Sequence, residues 1–219
     1  MKSNAILITL VLIGFAVHAQ QPETNEIQTI FKDKTIHGGY GGFSIGYTKI
    51  DGYEGMALGG RGLWIINHAL GIGAGGTGFF SEAHVNNVLD PTNIEMYRYA
   101  GGYGGLILEP IIFGKFPVHL SFPVLIGAGG IVYGKDYRQY EKDTYFEPYN
   151  EDVDAFFIIE PGVEVELNMV KTFRLCFGVY HRFTSSIILE TQTSPTEGLI
   201  KEYGLNDLTF GMTLKFGKF

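Results

Sequence analysis

Residues 154–168 read DAFFIIEPGVEVELN, and two chemistries alternate along them. Odd positions carry Ala155, Phe157, Ile159, Pro161, Val163, Val165 and Leu167. Even positions carry Asp154, Phe156, Ile158, Glu160, Gly162, Glu164, Glu166 and Asn168. An extended strand turns successive side chains to opposite faces, so this pattern predicts a strand with one greasy face and one largely polar face. The next stretch repeats it, with Phe173, Leu175, Phe177, Val179 and Phe183 against Arg174, Cys176, Gly178, Tyr180 and Arg182. The last does so again, with Leu208, Phe210, Met212, Leu214 and Phe216 against Thr209, Gly211, Thr213 and Lys215.

Working outward, the same reading predicts strands over 37–50, 53–67, 69–83, 97–114, 117–133, 154–168, 172–189 and 207–219. Connectors at Asn67-His68, Lys115 to Pro117 and Asn168 to Lys171 are tight, whereas 84–96, 134–153 and 190–206 are long and polar. Asp51-Gly52 is one short turn on the long-loop side. A closed antiparallel barrel that crosses a bilayer shows this rhythm, with turns at one end and loops at the other. The fold class is therefore all-β, an eight-stranded antiparallel up-and-down transmembrane β-barrel.

A soluble barrel would alternate too, but with its apolar face inside. Three features favour the membrane. The strands are long enough to cross tilted. The polar face is mostly Gly, Ser, Thr and Tyr. Aromatics near strand ends (Trp64 by a tight turn; Phe79, Phe80, Tyr97, Tyr99, Tyr133 and Phe183 towards the loops) have the distribution of interfacial girdles. The motif GGYGG at 38–42 and 101–105, and GAGG at 73–76 and 127–130, are shared strand chemistry: glycine lets bulky neighbours lie across a curved sheet.

The N-terminus reads as an export signal over 1–19. Lys2 precedes an apolar run from Ala5 to Val17, and Val17-His18-Ala19 supplies the cleavage site. Residues 20–36 form a polar periplasmic lead-in, and 37–219 form the barrel. Cys176 is the only cysteine, so no internal disulfide is available. A formal charge of −7 with no basic stripe argues against nucleic acid.

The export signal, the eight strands and the terminal LKFGKF (214–219) together resemble the small eight-stranded outer-membrane barrels of Gram-negative bacteria, specifically the Bacteroidetes-type outer-membrane β-barrel or porin-like families. The resemblance covers about 37–219. It implies location in the cell outer membrane, contact with outer-membrane lipid and lipopolysaccharide, and engagement by the barrel-assembly machinery during insertion. Its insertion signal is a terminal aromatic, here Phe216 or Phe219, which fall on opposite parities.

If the polar parity faces inward, the lumen holds Glu109, Glu160, Glu164 and Glu166 with Arg61, Arg174, Arg182 and Lys215. Four acids against four bases is what a closed lumen requires, because an unpaired buried charge is costly. Six of these (Arg61, Glu109, Glu164, Glu166, Arg174, Lys215) fall at a similar height above the tight turns, predicting a polar network that plugs the interior. The loop 134–153 carries Tyr137, Tyr140, Tyr145, Phe146 and Tyr149 among carboxylates, the composition of a contact surface for a protein or glycan or of a self-packed loop.

Enzyme motifs are weak, and neither catalytic residues nor a cofactor is expected. The GxGxxG spacing at Gly71–Gly76 runs on into a strand, so the phosphate-binding helix is missing. His37, His68, His84, His119 and His181 lack metal-ligand spacing. His181 with Ser185 and Ser186 invites comparison with lipid A deacylase barrels, but Phe183 stands where their serine would be. The expected role is structural or surface-interacting. The alternatives are a lipid- or lipopolysaccharide-modifying enzyme (an acyl hydrolase or acyltransferase) and a soluble lipocalin-like binding barrel.

Overall fold

The computed structural model describes residues 35–86, 89, 92, 95–136, 146–189 and 199–219, with the backbone alone over 146–152. The signal and lead-in up to residue 34 lie outside these, as do Tyr137, Tyr140, Tyr145 and the side chains of Phe146 and Tyr149. Among the described residues the chain forms β1 (His37–Ile50), β2 (Tyr53–Ile66), β3 (Leu70–Ser81), β4 (His84–Val85), β5 (Met96–Ile112) and β6 (Val118–Ser121). It continues as β7 (Val124–Asp136), β8 (Phe146–Val170), β9 (Phe173–His181), β10 (Phe183–Thr184) and β11 (Leu208–Lys218).

Every neighbour in the wall is antiparallel, and β11 closes the ring on β1. Two staves are interrupted. β6 and β7 share one register against β5 and β8, broken at Phe122-Pro123 where proline lacks the N–H a ladder needs. β10 likewise continues β9 along β8. The wall is thus an eight-stranded up-and-down barrel. β4 is a short extension paired to β5.

Cross-strand partners followed once around run Phe79, Ala57, Gly46, Gly211, Gly178, Glu164, Ser121, Ile111. Ile111 then donates to Ala69 O, so the path returns to β3's stave ten residues from its start. Eight strands with that stagger tilt by about 40° and enclose a radius of roughly 8 Å, an interior that side chains fill. The turns obey hairpin chemistry. Asp51-Gly52 and Asn67-His68 all take positive φ, the two-residue geometry that matches strand twist.

The orientation is the one a membrane barrel needs. Phe157 is 77% exposed and Val163 48%, and Leu106, Ile126, Phe177, Phe210 and Phe216 also face out. Glu109, Glu164, Glu166 and Lys215 are fully buried inside. Greasy outside and ionic inside excludes the lipocalin-like arrangement.

Two expectations need correction. Phe79, Tyr97, Tyr99 and Tyr133 are not girdle residues; they are buried within the barrel. With Tyr103, Ile131, Phe156 and Ile158 they make an apolar upper core. The strand predicted over 172–189 ends at Thr184, and the connector that follows is not simply an outward loop. Ile187, Leu189, Leu199, Ile200 and Leu205 turn in and fill the loop-end mouth. Two backbone bonds, Ile187 N to Glu202 O and Leu199 N to Leu189 O, hold that segment together. In addition, β8 begins eight residues earlier than the sequence predicts. Its ladder with β7 resumes beyond an irregularity at Val132/Gly134, pairing Asp136 with Phe146.

Candidate functional site

The lumen is built in two layers, and the lower one, nearer the tight turns, is ionic. Register puts its members at one height. Lys215 and Arg61 flank the same residue, Gly42, across β11, β1 and β2, and Arg174 faces Lys215 from β9. Glycines at 42 and 75 leave the space these long side chains fill.

Lys215 is the hub. Its Nζ stands 3.0 Å from Glu109 Oε1, 2.9 Å from Glu164 Oε2 and 2.5 Å from Glu166 Oε1. Arg61 reaches Glu164 at 2.5 Å and Glu109 at 3.8 Å. Arg174 donates to Glu166 at 3.1 Å. Three acids thus meet three bases. Neutral donors complete the set: Tyr40 to Glu109 at 2.6 Å, Ser121 to Glu164 at 3.1 Å, and Tyr180 to Glu164. His119 Nε2 lies 3.0 Å from Glu166. Glu164, Glu166 and Cys176 gather closely enough to hold a metal ion. The Lys215 ammonium, bonded to both carboxylates, already supplies the cation there.

Tyr180 shows how glycine serves the site. Its ring lies over Gly162 and Gly178, where an added Cβ would come within 2.3 Å and 2.6 Å of ring atoms or the hydroxyl. Gly178→Val should therefore displace the ring from Glu164. The expected cost is about 1–3 kcal/mol, read as a lower urea midpoint in detergent.

Glu160 and Arg182, the other two charges read into the lumen, are not in this layer. Glu160 accepts from Tyr103. Arg182 is fully buried, and its Nη2 donates to Thr48 Oγ1 at 2.6 Å and to Lys49 O at 2.7 Å. Sequence reading alone misses Tyr40, Ser121 and His119 as members of the ionic layer. The available signal is parity: His119 and Ser121 alternate with the outward Val118 and Leu120.

The two terminal aromatics part company. Phe216 faces out and stacks on Phe173 at 4.8 Å. Phe219 turns across the tight-turn mouth, where its ring lies 3.9 Å from the Arg174 guanidinium carbon and 5.8 Å from the Tyr40 ring. At the loop end, His181 stacks on Phe183 at 4.3 Å, and Ser185 Oγ accepts from Phe157 N. That serine is engaged with backbone, not with the histidine. Backbone pairing of 146–148 with β7 places Phe146 in the extended β7–β8 hairpin.

A lumen stopped by an ionic layer and an apolar core, inside an apolar outer belt, defines the class: by fold this is a small eight-stranded barrel of the outer-membrane kind. The neisserial surface protein A shares the fold, with a TM-score of 0.52 at 8% identity over 85% of this chain and 100% of that one. Weaker likenesses reach a major outer membrane protein from Thermus thermophilus (0.47, 12%, covering 82% and 99%). They also reach Ail, the attachment invasion locus protein of Yersinia pestis, in complex with the heparin analogue sucrose octasulfate (0.42, 11%, covering 83% and 96%). No protein-family model and no curated protein matches the chain.

Proposed function

We propose that this chain is an integral protein of the cell outer membrane with a structural or surface-interaction role, and that its lumen is closed. The observation that carries the reading is the pairing of an outward apolar belt with an interior stopped twice, by ions below and by aromatics above. An eight-stranded wall leaves no water-filled channel. The tight turns then face the periplasm and the long loops face outward, after export on the 1–19 signal and insertion by the barrel-assembly machinery at the Phe216 strand end. Outer-membrane lipid and lipopolysaccharide surround the belt. The loop bearing Tyr137, Tyr140, Tyr145, Phe146 and Tyr149 is the surface for a protein or glycan. The sequence resemblance favours the Bacteroidetes-type branch of these barrels.

Alkaline carbonate should leave the protein in the membrane, with detergent needed to extract it; release by carbonate alone would refute the integral reading. Planar-bilayer recordings on the purified protein are expected to show no stable open level. A steady single-channel conductance would show the lumen to be open.

A further inference from the structure

The rim of the tight-turn mouth is basic, and the carboxylates nearest it, Glu109 and Glu166, are engaged inside the barrel by Lys215 and Arg174. Segments 65–72, 110–119, 167–174 and 214–219, which build that end, contain no Asp or Glu. They do contain His68, Lys115, Lys171, Arg174 and Lys218, which with Phe219 line one open bowl of roughly 620 Å³. Acids concentrate at the other end, with Glu147, Glu151, Asp152 and Asp154 on β8 alone.

Three turns converge to make the bowl. Arg174 Nη2 reaches Gly114 O at 3.4 Å, and Asn168 Nδ2 donates to Phe116 O at 2.6 Å. Gly114 is packed so closely that an added Cβ would lie 2.4 Å from His68 O. Arg174 is only 4% exposed, and its Nε has no hydrogen-bond partner. Among the described residues Lys115, Lys171 and Lys218 make no ion pair. Burial first, then the Lys115 and Arg174 charges, push the His68 pKa down from the ordinary imidazole value.

We propose that this bowl binds a phosphate group through Lys115, Lys171 and Lys218, with the Arg174 charge in its lining. A doubly charged phosphate fits several ammonium groups converging from separate turns better than one carboxylate does. Phe116 and Val170 are exposed beside the cations, as a lipid phosphate would require of its surroundings, and a soluble phosphate compound would use the same charges. That the site opens to the periplasm rests on the orientation proposed above; the binding itself does not.

The test titrates the full chain, in uncharged maltoside detergent, with inorganic phosphate while backbone amides are followed by NMR. Saturable shifts are expected at His68, Lys115, Lys171 and Phe219, with the His68 pKa rising on binding. Lys115→Gln/Lys171→Gln/Lys218→Gln should weaken binding at least tenfold. Nanodiscs of phosphatidylcholine with and without phosphatidylglycerol separate the sources. Shifts appearing with phosphatidylglycerol and competed by phosphate assign the headgroup, whereas shifts with phosphate alone assign a soluble compound; both uphold the site. Shifts that never saturate, or persist unchanged in the triple variant, would overturn it.

Discussion

Lys215→Met will be among the most destabilising single changes available in this barrel. The methionine keeps much of the side chain's bulk but withdraws the charge that touches Glu109, Glu164 and Glu166 together. Arg61 and Arg174 remain, each already committed, so one of three buried carboxylates is left without a balancing cation. Removing one partner from a buried ion cluster costs about 3–5 kcal/mol, because the surviving charge stays desolvated. Urea unfolding in detergent, followed through Trp64 (the only tryptophan), reads the loss as a lowered midpoint. The double variant Lys215→Met/Glu164→Gln restores neutrality and should recover more than half of it. A single variant as stable as the parent would mean that the network does not hold the barrel together. A double variant no better than the single would mean that packing, not charge, set the cost.

That network is legible in the sequence because two simple quantities locate it. Parity says which side a charge faces, and distance from a tight turn says how high it sits. Glu164, Glu166, Arg174 and Lys215 are fixed by both. Glu160 and Arg182 share the parity but lie further from the turns, and they stand apart for that reason. The upper core is harder to read. Phe79 and Phe80 are adjacent, so an aromatic falls on both parities and composition cannot say which ring enters the barrel. Tyr97, Tyr99 and Tyr133 look interfacial only while the interior beside them is pictured as wet. Ile187, Leu189, Leu199 and Leu205 fill that mouth instead, two from the end of a predicted strand and two from a predicted loop. The start of β8 at Phe146 is hidden similarly. Residues 147–154 (EPYNEDVD) lack alternation, and the pairing with β7 makes them a strand. The stagger of ten is beyond sequence reading altogether, since it depends on the register of every pair around the ring.

Arginine scanning of the outer face should separate a bilayer from water as the surrounding solvent. Val163 points outward near the middle of the apolar stretch of β8, flanked across the ladder by Val179 of β9. Val170 points outward at the tight-turn end of the same strand. In lipid, Val163→Arg should cost about 2–4 kcal/mol, because a guanidinium at mid-depth must be desolvated or drag water inward. Val170→Arg should cost at most about 1 kcal/mol, since its charge reaches the interface. Both side chains are about half exposed, so in an aqueous setting each change would stay within about 0.5 kcal/mol and the two would not differ. Reversible unfolding in phospholipid vesicles gives the two free energies directly. The depth dependence is the discriminating quantity: a steep difference between the sites requires hydrocarbon around the belt. Equal, small effects would place this face in water and leave Phe157, Leu106 and Phe210 as a hydrophobic surface awaiting another partner.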